Sequence, residues 1–373
     1  MRIALFCHSL LSDWNHGNAH FLRGVATELI ERGARVDVYE PQDAWSVQNL
    51  VAEHGVATLE AARRAYPRID PVRYDEKLDL SRAVAGADLV LVHEWNDPRL
   101  VRELGALRKR GASFRLLFHD THHRSATCPD EIARYDLSGY DGVLAFGAIV
   151  RDLYLRNGWA RRAWIWHEAA DTRVFRPIST GNEYDLVWVG NWGDDERTEE
   201  LHEFLLGPVR DLRLKARVHG VRYPQSAIAA LRNAGIEYGG WLPNFAVPAL
   251  FARSRVTVHI PRRPYARALP GIPTIRPFEA LACAIPLVCA PWSDAEGLFR
   301  GGRDYLVARD GAEMRRHLRA LLGDAPARRA ISLSGLETIL ARHTCGHRVD
   351  ELFRIYGDLT AGDAISGEKR ASA

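Results

Sequence analysis

The chain has 373 residues, 47% of them hydrophobic, which is enough for two cored domains and too apolar for a disordered segment. Lys+Arg 50 against Asp+Glu 47 leaves a formal charge of +3, which argues against a generally basic nucleic-acid binder. No apolar run is long enough to span a bilayer, and MRIALFCHSLL enters a strand-like segment at once without a signal-peptide pattern. The 5 cysteines are odd in number and scattered, and they read as free thiols of a reducing cytoplasm.

Apolar strand-like runs recur in the first half at 3–7, 36–39, 89–93, 114–119, 143–146 and 163–166, with amphipathic stretches between them. That alternation predicts a parallel sheet covered on both faces. The clearest helix is 18–32, where Phe21, Leu22, Val25, Leu29 and Ile30 share one face and Gly33 ends it. The loop before it, HSLLSDWNHGNAH, is long for a first strand-to-helix turn. It holds Gly17, which is assigned to donor binding, but no GxGxxG, which weighs against a dehydrogenase. Active sites of open parallel sheets gather at the carboxyl ends of strands, where His8, His93 and His119 fall. Each is either a site residue or a polar strand-end group satisfied by loop backbone. Trp14 and His122 sit in long loops of the same region and are assigned with His8 and His93 to an acceptor side. His119, Asp120, His122, His123 and Cys128 do not have zinc spacing, so no metal ligand is assigned.

A second alternating set begins at 185–190 and continues at 212–219, 236–238, 256–260, 285–289 and 305–308. Gly190 and Gly193 after its first strand allow backbone to approach a phosphate. The stretch HIPRRPYARALPGIPTIRPFEALACAIPLVC, from His259, reads as strand, loop, helix, strand. Its loop carries Arg262, Arg263 and Arg267, then Pro270, Gly271 and Pro273. Thr274 is the expected N-cap, with Pro277 in the first turn. The amides of Gly271, Ile272, Thr274, Ile275 and Arg276 are thereby left to face an anion, which the helix dipole favours. Glu279, just over a turn later, is placed to accept hydrogen bonds from a sugar hydroxyl. The plainer alternative is a helical ion pair between Arg276 and Glu279. The arginines of the loop have three readings: donor phosphate, an acidic acceptor, or solvent. Arg262 is assigned to the donor.

The segment RPFEALACAIPLVCAPW resembles the donor-binding signature of retaining GT-B glycosyltransferases. It is closest to the family 4 group and to relatives typed by a spore-maturation protein. That signature has two glutamates eight positions apart; the second is Glu279, and Gly271 stands at the first. The resemblance implies two Rossmann-like doubly wound domains facing an interdomain cleft. The acceptor-side domain would be 1–177, completed by a last helix at about 345–361, with the donor domain at 178–344 and a flexible tail at 362–373. FHDTHHRS and VHEW resemble the histidine-bearing strand ends of that family, which implies that His119 meets the donor sugar and phosphate. In VGNWGDDERTEEL, Asn191 stands at a family arginine and Arg197 where its basic partner lies, which implies a diphosphate contact. GWLPNFAVPALFARSRV resembles the segment that walls the nucleotide base, so Trp241 or Leu242 lines that wall, or Trp241 is plain core. WHEAADTRVFRP resembles the family's interdomain connection.

The expectation is thus a cytoplasmic, metal-independent hexosyltransferase needing no cofactor beyond its nucleoside diphosphate sugar, UDP- or GDP-linked. His119, Arg197 and Glu279 would carry the transfer, with retention, to a hydroxyl of a saccharide or small molecule. Two alternatives are a nucleotide-sugar epimerase of the same fold and a non-catalytic nucleotide-sugar-binding protein.

Overall fold

The computed structural model describes residues 1–371, with side chains through Ala361. The expected tail at 362–373 lies outside the residues whose side chains are described. The chain divides into two compact units: Met1–Leu11, Leu22–His167 and Cys345–Ala373 form one, Ser12–Phe21 and Glu168–Thr344 the other. The division falls at His167, against the 177/178 boundary expected from sequence. It also assigns the loop Ser12–Phe21 to the second unit.

The first unit holds β1 (Arg2–Phe6), β2 (Arg35–Pro41), β3 (Val72–Tyr74), β4 (Leu89–His93), β5 (Arg115–Asp120), β6 (Gly142–Ala145) and β7 (Ala163–Ile165). They form a 7-stranded sheet in the order β3-β2-β1-β4-β5-β6-β7. Every pairing is parallel, with His93 opposite His119. Short runs such as LVLVH are buried on both faces, which is why they read as continuous rather than alternating. The edge strand β3 escaped the sequence reading because its VRY is exposed or half-exposed and carries no apolar run. The helix Ala19–Glu31 buries Phe21, Leu22, Val25 and Leu29 and ends in Gly33 at φ +84°. The last helix, Cys345–Ala371, belongs to this unit. It buries Val349 and Leu352, and the Trp166 indole donates to the Arg348 carbonyl at 2.8 Å.

The second unit holds β8 (Tyr184–Val189), β9 (Ala216–His219), β10 (Ile236–Tyr238), β11 (Ser254–His259), β12 (Leu287–Cys289) and β13 (Leu306–Val307). The order is β10-β9-β8-β11-β12-β13, again wholly parallel. A strand was expected from Leu212, but Gly207–Leu212 is a helix and β9 starts at Ala216. The turn is made by Arg213 in the left-handed region, φ +53°. The stretch expected as an arginine-bearing loop contains a short helix, Arg263–Ala268, started by Pro264. The core packs Leu186, Trp188, Val218, Val256 and Val288 of the sheet against Leu205, Leu231, Met314 and Leu318 of the covering helices. Among the described residues, no helix is long and apolar enough to cross a membrane.

Candidate active site

In the second sheet the strand order reverses between β8 and β11, and the crevice beyond the carboxyl ends of such a pair is where doubly wound sheets bind ligands. Gly190 and Asn191 leave β8 there; His259 ends β11. Gly190 is required by packing, since a Cβ on it would come within 2.7 Å of the Trp188 ring. Asn191 ties loops together. Its Oδ1 accepts from the Val221 amide at 2.9 Å, its Nδ2 donates to Asn15 Oδ1, and its carbonyl accepts from Arg197. The half-buried Arg197 guanidinium donates to the carbonyls of Ile260, at 2.8 Å, and Asn191, and lies 5.0 Å from the Trp188 ring centroid. Among the described residues no carboxylate forms an ion pair with it, and its buried Nε–H has no hydrogen-bond partner. Burial, together with the positive charges of Arg262 and Arg276, pushes its pKa down to about 10. His259, whose Nε2 lies 3.1 Å from Thr274 Oγ1, is pushed down to about 3 by burial and then by Arg197 and Arg276. It is therefore neutral. Both shifts report one local field, positive and only partly compensated.

Thr274 stands at the N-cap position of the helix Ile275–Ala282 with extended backbone, but its side chain makes no cap bond. Ile272 and Ile275 are buried beside it. Arg262 pairs with Glu196, so it is engaged within the site wall. Glu279 lies deeper than the sequence suggested: it is 0% exposed, bound by Arg276, by Asn244 Nδ2 at 2.7 Å and by His20 Nδ1 at 3.2 Å. The helical ion pair set beside the sugar reading is thus present, within a larger network. His20 Nε2 accepts the Asp171 amide at 2.9 Å, so in its neutral form the ring carries its proton on Nδ1 and donates toward Glu279. Burial alone would raise the Glu279 pKa, but Arg276, His20 and Asn244 outweigh it and the net shift is downward.

His20 belongs to the segment Ser12–Phe21, which is built into this unit along its length. Asp13 accepts from the Trp241 indole at 3.2 Å and from the Asn244 amide at 3.1 Å. Gly17 lies against Ile275, 3.5 Å from its would-be Cβ to Cγ2. Trp14 is buried in the same segment. Trp241 and Leu242 are half-buried, and the indole bond to Asp13 sets Trp241 apart from plain core. His20, Asn244, Asp13 and Asn15 were not picked out from sequence. The one available signal was His20 itself, a polar residue beside the apolar face of the first helix.

In the first unit, His8, His93 and His119 lie at the ends of the adjacent strands β1, β4 and β5. His8 stacks on Trp45 at 4.5 Å, and its Nε2 accepts the Ser46 amide at 3.3 Å; burial pushes it down to about 4. His119 packs edge-on to Trp166 at 4.8 Å and to His93 at 5.2 Å, and burial pushes it down to about 3. His93 Nε2 lies 3.1 Å from Thr121 Oγ1, whose hydroxyl donates to Glu94 at 3.1 Å. Glu94 pairs with Arg124 at 2.7 Å, and Arg124 stacks on Trp95. His122 lies edge-on to Trp95 at 5.1 Å. Among the described residues no three His, Cys, Asp or Glu side chains are grouped to hold a metal ion.

Asp120, at the end of β5, accepts from the His122 amide at 3.0 Å and the Tyr154 hydroxyl at 2.9 Å. Burial and then the charge of Glu94 push it up to about 8, so it is protonated at neutral pH. A raised acid stabilises the fold below its ordinary pKa and loses that contribution as pH rises through the folded value. Asp120→Asn keeps the shape without the titration. Its melting temperature is expected to gain steadily on the parent's as pH rises from about 4 to about 8, the window between the ordinary and the raised pKa; a constant difference across that range would disprove the assignment.

The fold is GT-B, that of glycosyltransferases, and it is shared along nearly the whole chain. Sucrose-phosphate synthase from Thermosynechococcus elongatus superposes with a TM-score of 0.69 at 13% identity, covering 97% of this chain and 100% of that one. An alpha-glucosyltransferase in complex with UDP-glucose and DNA containing an abasic site gives 0.69 at 13% identity, covering 96% and 99%. Anabaena Alr3699/HepE in complex with UDP and glucose gives 0.65 at 13% identity, covering 96% and 99%. Residues 197–354, under half of the chain, match the family model described as glycosyl transferase-like. That matched segment spans Arg197, Glu279 and the helix Ile275–Ala282. No curated protein matches the chain in sequence.

Proposed function

We propose that this enzyme transfers a hexose from a UDP- or GDP-sugar to a hydroxyl of a saccharide or small molecule, with retention, without a metal and in the cytoplasm. The observation that carries the donor assignment is Arg197, a cation that no carboxylate of the described residues neutralises, at the reversal point of the second sheet. Burying a charge is costly unless something pairs with it, and a diphosphate is the partner that the positive field favours. Arg197 and the amides of Gly271 to Arg276 would stabilise the charge that grows on the departing diphosphate. The solved structures of the same fold described with UDP, with UDP-glucose, and with UDP and glucose support this donor class. The neutral histidines His8 and His119, with His93 between them in the sheet, supply polar groups at the strand ends of the first unit, suited to hydroxyl contacts on the acceptor side. No protein nucleophile is assigned, and the mechanism proposed is front-face attack. The bond from the anomeric carbon to the phosphate oxygen breaks as the acceptor oxygen bonds to the same face, and the acceptor's proton passes to the leaving phosphate.

A thermal-shift screen against UDP, GDP and their glucose and mannose esters tests this reading. A ligand that binds only the native state adds about 2.7 kcal/mol at a hundred times its Kd. A rise in melting temperature with one base and not the other identifies the donor; no shift with any of them defeats the reading. Slow hydrolysis of the bound sugar without acceptor then separates an enzyme from a binding protein, and the anomeric configuration of the released sugar tests retention.

A further inference from the structure

The run LRNGWARRAWI, residues 155–165, holds three arginines, two tryptophans and no carboxylate, and none of its residues belongs to the candidate site. It ends the helix Ala148–Arg156, makes the turn that follows and forms β7, the last strand of the first sheet. An edge strand leaves one side of its backbone unpaired, and soluble proteins cover such edges or blunt them with charge. Here Ala163, Trp164 and Ile165 are all half-buried, and two of the cations stand in the turn just before them.

Local packing holds the patch in shape. Gly158, at φ +67°, lets the chain fold back, so that the Trp159 amide donates to the Tyr154 carbonyl at 3.0 Å and the two rings meet edge to face at 5.5 Å. The Trp164 ring lies over Gly142, where a Cβ would come within 2.3 Å of it. Both indoles are half-buried, and Leu155 is 41% exposed at the end of the helix. Arg156, Arg161 and Arg162 are exposed, and among the described residues none of the three forms an ion pair. The flanking carboxylates are already engaged: Asp152 by Arg151 at 2.7 Å, and Asp141, just before β6, by Arg108 at 3.3 Å. The patch is therefore cationic without local compensation, and it carries aromatic and aliphatic surface among its cations. A soluble polyanion would satisfy the arginines but gain little from Leu155 and the indoles. An anionic bilayer meets both, because indoles settle at the boundary of headgroups and chains while arginines pair with lipid phosphates.

We propose that this edge of the first unit docks on an anionic membrane surface, with Arg156, Arg161 and Arg162 on lipid phosphates and Trp159, Trp164 and Leu155 at the headgroup boundary. The contact is peripheral and reversible, since a few cations and apolar side chains give far less than a spanning helix. Arg161 and Arg162 precede β7, at the amino ends of the strands, whereas His93 and His119 lie at the carboxyl ends of β4 and β5. Docking thus leaves the histidine-bearing ends of the sheet uncovered, and it does not depend on which donor the second unit binds.

Co-sedimentation tests it, with vesicles of phosphatidylcholine alone and of phosphatidylcholine containing about one-third phosphatidylglycerol. The parent protein is expected to pellet with the anionic vesicles and not with the neutral ones, and to be released as salt is raised. Arg161→Ala combined with Arg162→Ala should weaken binding about 30-fold, a factor of about five for each surface arginine. Trp159→Ala should weaken it about threefold or more, which charge alone would not produce. Arg63→Ala combined with Arg329→Ala removes the same charge from exposed positions elsewhere and should leave binding as in the parent. The arginine variants are expected to melt with the parent, because exposed substitutions leave packing intact. A parent that pellets with neither vesicle overturns the proposal, and so does undiminished binding by the Arg161 and Arg162 variant. Undiminished binding by Trp159→Ala, or retention on heparin without any vesicle binding, overturns it in favour of a soluble polyanion.

Discussion

Replacing Arg197 with alanine is expected to weaken binding of the nucleoside diphosphate by about 10- to 100-fold, the equivalent of one or two charge-assisted hydrogen bonds. The guanidinium already donates to the carbonyls of Ile260 and Asn191, so it is pre-set before any ligand arrives, and its Nε–H is the donor left over. Those two carbonyl bonds are worth about 1 kcal/mol each to the fold. The variant therefore also melts somewhat earlier. Calorimetry with UDP and GDP separates the two effects, since ligand affinity measured well below the melting temperature reports only the first. Arg197→Lys is expected to rescue little, because one ammonium cannot span both carbonyls and still face the ligand. An Arg197→Ala affinity within threefold of the parent would remove the residue from the site.

Glu279→Ala is expected to cost about 3 kcal/mol of stability, more than any loss of ligand contact would cause. Its removal strands Arg276, Asn244 and His20 around a cavity, and breaking a buried ion pair from one side leaves the other charge uncompensated. Arg276 retains some exposure, which keeps the cost toward the lower end. The same network sets a pH dependence. Because the folded pKa of Glu279 is depressed, its contribution is present above the ordinary carboxylate pKa of 4.5 and is lost as pH falls through the folded value. Urea unfolding at pH 7 and at pH 3.5 checks both statements: the gap between parent and Glu279→Ala should be wide at pH 7 and narrower at pH 3.5. A gap of under 1 kcal/mol at pH 7 would show that the network is dispensable.

Much of the architecture was legible because buried parallel strands are short, continuous apolar runs, and the chain has them in two sets. The strand Leu89–His93 and the start of the signature helix after Thr274 came out at their observed positions. The exposed edge strand Val72–Tyr74 did not, since nothing in its residues distinguishes it from a loop. Arg197 was visible through the resemblance of its turn to one in a known family, and the helix start after Gly271 through its prolines and cap. Glu279 was visible as a carboxylate but not in its surroundings, because its partners His20 and Asn244 lie far away in sequence.

The sequence by itself determined the pair of parallel sheets, the places where strands end and chemistry gathers, and the basic, glycine-bearing turns that suit a diphosphate. These follow from local patterns, whose periodicity and turn residues act over a few positions. Tertiary structure alone decided that Glu279 is locked into the framework. It also decided that a loop leaving the first strand is built into the second unit. Such assignments depend on side chains brought together from distant parts of the chain, where burial, charge pairing and the room left by a missing Cβ select the neighbours.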